Sequence, residues 1–239
     1  MSRRINRGSG LLATALLGVV VSSLPWRADA ADRGVALPAP AVDNPRAAGP
    51  AQSVVLSGGC FWGVQGVFEH VHGVRRVVAG YAGGARNTAD YGSVSTGATG
   101  HAESVQVSFD PSQISLGQIL QVFFSVVQDP TQLNRQGPDI GSQYRSEIFY
   151  SDAQQKQVAE SYIAQLNSAH AFAKPIVTRV DSLPGFYPAE DYHQDFLQHN
   201  QSYPYIVYND LPKIDNLKRL YPAEYVAQPV LLSNVAAVR

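Results

Sequence analysis

Cysteine is nearly missing from this chain: Cys60 is the only one in 239 residues. A single thiol excludes an intrachain disulfide and any metal site built from several thiolates. Histidine offers no replacement, because the six histidines are scattered and His70 and His72, two positions apart, do not share a helical face. Charge is sparse and balanced, with charged residues at 15% and a formal net charge of −1. That balance leaves no electrostatic footprint for nucleic acid or an anionic membrane as partner. No internal repeat is visible. What remains, 45% hydrophobic residues in a chain of this length, suits one globular domain with a sizeable core.

The apolar run from Leu11 to Leu24 covers 14 residues, too short to span a bilayer as a mature helix, so no stable membrane insertion is expected. Its flanks explain it better. Arg3, Arg4 and Arg7 form a basic start, and Ala28-Asp29-Ala30 has the small-x-small pattern that a signal peptidase reads. Residues 1–30 are therefore expected to be a signal peptide cleaved after Ala30, directing export to a periplasm or full secretion. Asn6 sits where a twin-arginine signal needs an apolar residue, which favours the general secretory route. Removing residues 1–30 takes away four arginines and one aspartate and leaves a charge of −4. Residues 31–50, rich in Ala and Pro, read as a flexible linker. The domain is placed at 51–225 and a C-terminal tail at 226–239.

Within that domain, Ser53 to Leu56 reads as a buried strand running into Gly58-Gly59. Phe61, Val64, Val67, Phe68 and Val71 fall on one helical face, and Gly73 ends that helix. Val74 to Tyr81 and Ser104 to Phe109 read as strands, with a long polar loop over 84–102 between them. Ser115 caps a helix through about Val127, and a second long loop runs from Gln128 to Gln143. A strand over Tyr144–Tyr150, a helix from Asp152 to about His170 and a strand over Ile176–Val180 follow. A short helix near Asp191–His199 precedes a proline-punctuated, irregular tail. This order predicts an α+β fold: a ferredoxin-like two-layer sandwich of split βαβ type, with long active-site loops.

Residues 58–63, Gly-Gly-Cys-Phe-Trp-Gly, put the one thiol where a strand meets a helix. The positive end of the helix dipole there favours a thiolate, and free backbone N–H groups face any anion that forms. Gly58, Gly59 and Gly63 permit a sharp turn and close approach by a substrate. Position alone leaves a nucleophile and a small buried structural cysteine about equally supported. Phe61 and Trp62 point about 100° apart on a helix, so one packs inward while the other is free to line a pocket. Glu103, at the boundary of the first long loop, becomes a general acid if it is desolvated. Position alone favours an ordinary exposed strand-start glutamate, and Tyr91, Asp139 and Tyr144 in the two loops are each compatible with turn or packing roles.

Taken together, GCFWG at 59–63, GYAGG at 80–84, Tyr91 twelve residues before Glu103 in GHAE, GPDIGSQYRS at 137–146 and YPAEDYH at 187–193 resemble the A-type peptide methionine sulfoxide reductases over about residues 53–220. The resemblance implies that Cys60 attacks the sulfoxide sulfur, that Glu103 protonates the leaving oxygen with help from Tyr91 and Tyr144, and that Asp139 supports substrate or the later reduction. It implies that Gly59, Phe61 and Trp62 form the substrate-binding turn and methyl-binding wall. The substrates would be oxidised proteins or peptides carrying the S epimer of methionine sulfoxide. No bound cofactor and no metal is expected, and the protein is expected to be a monomer. The chain departs from many relatives in carrying no second cysteine. Its sulfenic acid would need an external thiol reductant, whether a thioredoxin-like protein, a glutaredoxin-like protein or a small thiol. The rival readings are a one-cysteine peroxidase and a non-enzymatic peptide-binding module.

Overall fold

The computed structural model describes residues 34–232 together with Met1, so the expected signal segment and the end of the tail lie outside the described residues. The chain runs through β1 (Gln52–Gly58), α1 (Phe61–Glu69), β2 (Val74–Ala82), α2 (Tyr91–Val94), β3 (Ala102–Phe109) and α3 (Leu116–Val122). It continues with β4 (Arg135–Gln136), β5 (Asp139–Ile140), β6 (Ser146–Tyr150), α4 (Ala153–Ser168) and β7 (Arg179–Ser182). β8 (Phe186–Pro188), α5 (Phe196–His199) and α6 (Leu211–Leu220) complete it. The main sheet has the order β7-β6-β1-β3-β2-β8, antiparallel throughout except for the parallel β6–β7 pair. Its four inner strands, β6-β1-β3-β2, form the expected split βαβ arrangement, so the fold is α+β.

Strand alternation decides what each face buries. Val54 and Leu56 pair in register with Val107 and Val105 and join the core beneath the helices. Val55 points the other way, into a small cluster with Ala82 and Phe149. From α1, Phe61, Val64, Val67 and Phe68 enter the main core, and Ile119, Leu120, Tyr162 and Leu166 enter it from α3 and α4. Each such side chain contributes roughly 2 kcal/mol on burial. α3 starts at a complete capping box between Ser115 and Gln118. α4 starts at Asp152, whose side chain accepts from Gln155 N–H at 2.8 Å.

The expected flexible linker is corrected over residues 34–46, which lie strapped across α3 and α4. Leu37 is buried, Val35 N–H donates to Ser125 O at 2.9 Å, and Tyr162 hydroxyl donates to Pro38 O at 2.8 Å. Asp43 accepts from Gly117 N–H at 2.8 Å, and Asn44 Oδ1 accepts from Leu116 N–H at 3.1 Å. These two side chains complete the orphan donors at the start of α3, which composition alone does not reveal.

The C-terminal part is also more regular than expected. β8 extends the sheet edge, and α6 begins with Pro212 in its first turn, a position where proline's missing N–H costs nothing. Asp195, with φ of +52°, breaks the helix expected over Asp191–His199 into a short turn and α5. β7 is shifted toward Ser182 from its expected position.

Candidate active site

The site is built at the C-terminal end of β1, an inner strand of the sheet, where α1 begins. Gly59 adopts φ of +97°, a turn that L side chains rarely make, and Cys60 follows as the N-cap of α1. Gly58, Gly59 and Gly63 are needed for close approach, but what approaches is this chain itself. A Cβ on Gly59 would lie 2.7 Å from Gln136 Cγ, and one on Gly63 would lie 2.0 Å from Asp210 Oδ1. Gly59 is thus packed against Gln136.

Cys60 is 9% exposed. The expectation of a ground-state thiolate is also corrected: burial pushes the thiol well above its ordinary range, and the negative charges of Glu103 and Asp210 push it further. The Trp62 N–H at the helix start opposes them and loses. Dipole and orphan N–H groups are present, but desolvation outweighs them.

Glu103 stands on β3 opposite Tyr81 and is 2% exposed. Its Oε2 accepts the Phe61 N–H at 3.0 Å, placing the carboxyl one residue from the nucleophile. Burial raises its pKa to about 8 against that bond, so at neutral pH it holds a proton. A buried acid beside a buried thiol can deliver that proton to an oxygen that leaves.

The two long loops are tied to each other before they reach the site. Arg145 donates to Gly100 O at 3.0 Å and Ser142 O at 2.9 Å, and pairs with buried Glu147 at 2.5 Å. Gln143 donates to Ser95 O at 3.1 Å and Ser142 to Gly97 O at 3.0 Å. This stitching brings Tyr91, at the start of α2, and Tyr144, just before β6, to Glu103. Burial and the charges of Glu103 and Cys60 raise the pKa of both phenols, so both remain donors.

Phe61 and Trp62 divide as expected: Phe61 is fully buried and Trp62 is half-buried. Trp62 stacks on Phe196 at 3.9 Å between ring centroids, and its Nε1–H donates to His193 Nδ1 at 3.1 Å. Since indole nitrogen only donates, His193 must carry its proton on Nε2. Tyr203 and Tyr205 meet the indole edge-on at 6.3 and 6.0 Å.

A second face of Cys60 opens on a narrow cleft of about 60 Å³ lined by Gln128, Gln136, Asp139, Tyr205, Asn209 and Lys213 among others. Asp139, raised by burial, accepts a hydrogen bond from Tyr205 hydroxyl. Tyr205, Asp210 and Lys213 escape sequence reasoning because no local spacing links them to residue 60, and His193 enters it only as the last residue of the motif at 187–193, with no role attached. Among the described residues, no three His, Cys, Asp or Glu side chains gather as a metal would require.

Fold and site define a class: an α+β protein whose lone cysteine caps a helix beside a buried carboxylic acid and an aromatic cluster. The family model for peptide methionine sulfoxide reductase matches residues 52–225, and the chain belongs to that family. It is 58% identical over 187 residues to the peptide methionine sulfoxide reductase MsrA 2 of Mesorhizobium japonicum, covering 78% of this chain and 96% of that one. To MsrA 2 of Synechocystis it is 50% identical over 195 residues, covering 80% and 91%. Among solved structures, reduced Mxr1 of Saccharomyces cerevisiae superposes with a TM-score of 0.57 at 32% identity, covering 66% of this chain and 91% of that one. Methionine sulfoxide reductase A of Corynebacterium diphtheriae gives 0.55 at 32% identity, covering 73% and 91%. The chain is a methionine sulfoxide reductase, as its motifs led us to expect.

Proposed function

We propose that this enzyme reduces the S epimer of methionine sulfoxide in oxidised proteins and peptides by a one-cysteine thiol mechanism. The observation that carries the reading is the Phe61 N–H to Glu103 Oε2 bond at 3.0 Å, which sets a protonated acid next to the lone thiol. The methyl group of the substrate rests on Phe61 and Trp62, and the sulfoxide oxygen faces Glu103, Tyr91 and Tyr144. Cys60 sulfur attacks the sulfoxide sulfur while Glu103 gives its proton to the oxygen. The hydroxyl then passes to the Cys60 sulfur as its bond to the substrate sulfur and the new sulfur–sulfur bond both break, so methionine leaves and Cys60 carries the oxygen as a sulfenic acid. The thiol proton of Cys60 restores Glu103, so atoms and charge balance.

Cys60 is the only cysteine in the sequence, so the sulfenic acid is resolved by an outside thiol. A first external thiol forms a mixed disulfide with Cys60 and releases water. A second regenerates the Cys60 thiol and leaves as the oxidised disulfide. The reductant is a thioredoxin-like or glutaredoxin-like protein or a small thiol. With cleavage after Ala30, the enzyme works on exported proteins, in a periplasm or outside the cell, and no described helix is long and apolar enough to cross a membrane.

A single turnover without reductant tests the reading. Protein mixed with an S-epimer sulfoxide peptide should give about one methionine and one Cys60 sulfenic acid per chain, and neither in Cys60→Ser. No methionine from a folded protein with a reactive thiol would overturn it. Consumption of peroxide in its place would point to peroxidase chemistry.

A further inference from the structure

Asp210 is a carboxyl that the proposed chemistry does not use, placed where it cannot be ignored. It is fully buried, and its Oδ1 sits so close to Gly63 that no side chain fits there. Gly63 lies in the first turn of α1, one turn from the nucleophile. Asp210 Oδ1 pairs with Lys213 Nζ at 3.0 Å, while Oδ2 is buried with no partner among the described residues. Lys213 in turn lines the same cleft as Cys60. Burial raises the Asp210 carboxyl above its ordinary range and Lys213 opposes that shift, so the ion pair is what sustains a charge that burial alone makes costly.

The geometry points to the Asp210–Lys213 pair as an electrostatic brake on the active site: a buried negative charge, half covered by one lysine, that keeps Cys60 and Glu103 both neutral until substrate arrives. The inference rests on the reductase reading for its purpose, since a neutral thiol and a protonated acid are the pair the reaction starts from. The titratable groups whose charge couples to Asp210 lie on several elements: Cys60 at the start of α1, Glu103 on β3, Asp139 on the second loop, Tyr205 ahead of α6, and Lys213 on α6, the one that it contacts directly. Of these only Lys213 is a cation. A second negative charge on Cys60 or Glu103 would meet Asp210 and Asp139 with one counter-charge between them. The same relation appears in the acid–base behaviour of the site, where Asp210 raises both Cys60 and Glu103. Asp210 and Lys213 touch neither the sulfoxide nor the sulfur in this scheme and act as positioning residues.

The test is the pH dependence of Cys60 alkylation by iodoacetamide in substrate-free protein. Asp210→Asn removes the charge, and the alkylation midpoint should fall by about one pH unit, the usual effect of one nearby charge. Lys213→Gln uncovers the charge at the alkaline pH where Cys60 titrates, and the midpoint should rise. Lys213→Arg should restore the wild-type curve. A purely structural role would alter the melting temperature without moving the midpoint. Should Asp210→Asn fail to fold, the direction of the Lys213→Gln shift decides alone. Unmoved midpoints would overturn the inference. Methionine formation by the wild-type protein is scored separately, so failure of the reductase reading leaves the midpoint result intact.

Discussion

Replacing Glu103 with glutamine should make this enzyme more stable and nearly inactive at once. In the unfolded chain the Glu103 carboxyl gives up its proton near pH 4.5, whereas in the folded protein burial holds it to about pH 8. A carboxyl whose pKa rises on folding contributes stability that is complete below pH 4.5 and is lost as pH rises toward 8. At pH 7 the native state binds a proton that the unfolded state has released, and that uptake costs on the order of 3 kcal/mol. At 2% exposure solvent screening discounts little of it. Glutamine keeps the carbonyl oxygen that accepts Phe61 N–H and has no proton to take up. Urea melts at a series of pH values should show wild type and Glu103→Gln equal near pH 4, and the variant ahead by about 3 kcal/mol at pH 7. The single-turnover rate should fall ~10²–10⁴-fold, the usual contribution of a general acid. A variant that is destabilised equally at all pH values would show that Glu103 is not a desolvated acid. A variant that still turns over at more than a tenth of the wild-type rate would show that the oxygen takes its proton from elsewhere.

Trp62→Ala removes the stack on Phe196 and the bond to His193, and it should reduce kcat/KM for a sulfoxide peptide ~10–100-fold. Iodoacetamide reactivity of Cys60 should change far less, and equal losses would mean a collapsed turn. Asp43→Ala strips two hydrogen bonds from the start of α3 and should cost ~1–2 kcal/mol in a thermal melt. An unchanged Tm would show that the 34–46 strap is not held by its caps. Arg145→Met leaves Glu147 with the longer, exposed Arg179 contact at 3.7 Å as its remaining ion pair and unties the two loops. It should cost ~3–5 kcal/mol and depress turnover further through Tyr91 and Tyr144. A fully active, equally stable variant would refute the stitching role.

The strand–turn–helix around Cys60 is legible because every signal there is local: alternating valines, paired glycines, then apolar residues at helical spacing. The four inner strands follow from the same periodicities, and the motif residues Glu103, Tyr91, Tyr144 and Asp139 do gather near the thiol. What periodicity does not carry is burial of one element by another. It puts Cys60 on a helix N-terminus and so suggests a thiolate, but the packing of Asp210, Gln136 and Glu103 around it decides the opposite. The 34–46 strap is hidden for a related reason, since Ala and Pro composition reads as linker while Leu37, Asp43 and Asn44 hold it through partners 72 to 184 residues away. α6 is polar along much of its length, and Pro212 looks like punctuation until it is seen in the first helical turn. Tyr205 and Lys213 approach the site by chain return from more than a hundred residues on.

The three glycines of the nucleophile's turn are each closed by a side chain from elsewhere: Gly58 by Phe123 and Gln128, Gly59 by Gln136, and Gly63 by Asp210. The sulfur becomes sheltered only after α3, the second loop and the start of α6 have all arrived. The chain's single thiol is therefore a clock for its own assembly. A form in which one of these segments has not docked leaves Cys60 more open to a thiol reagent than the native protein does, and the drop in labelling rate marks the moment the last segment arrives.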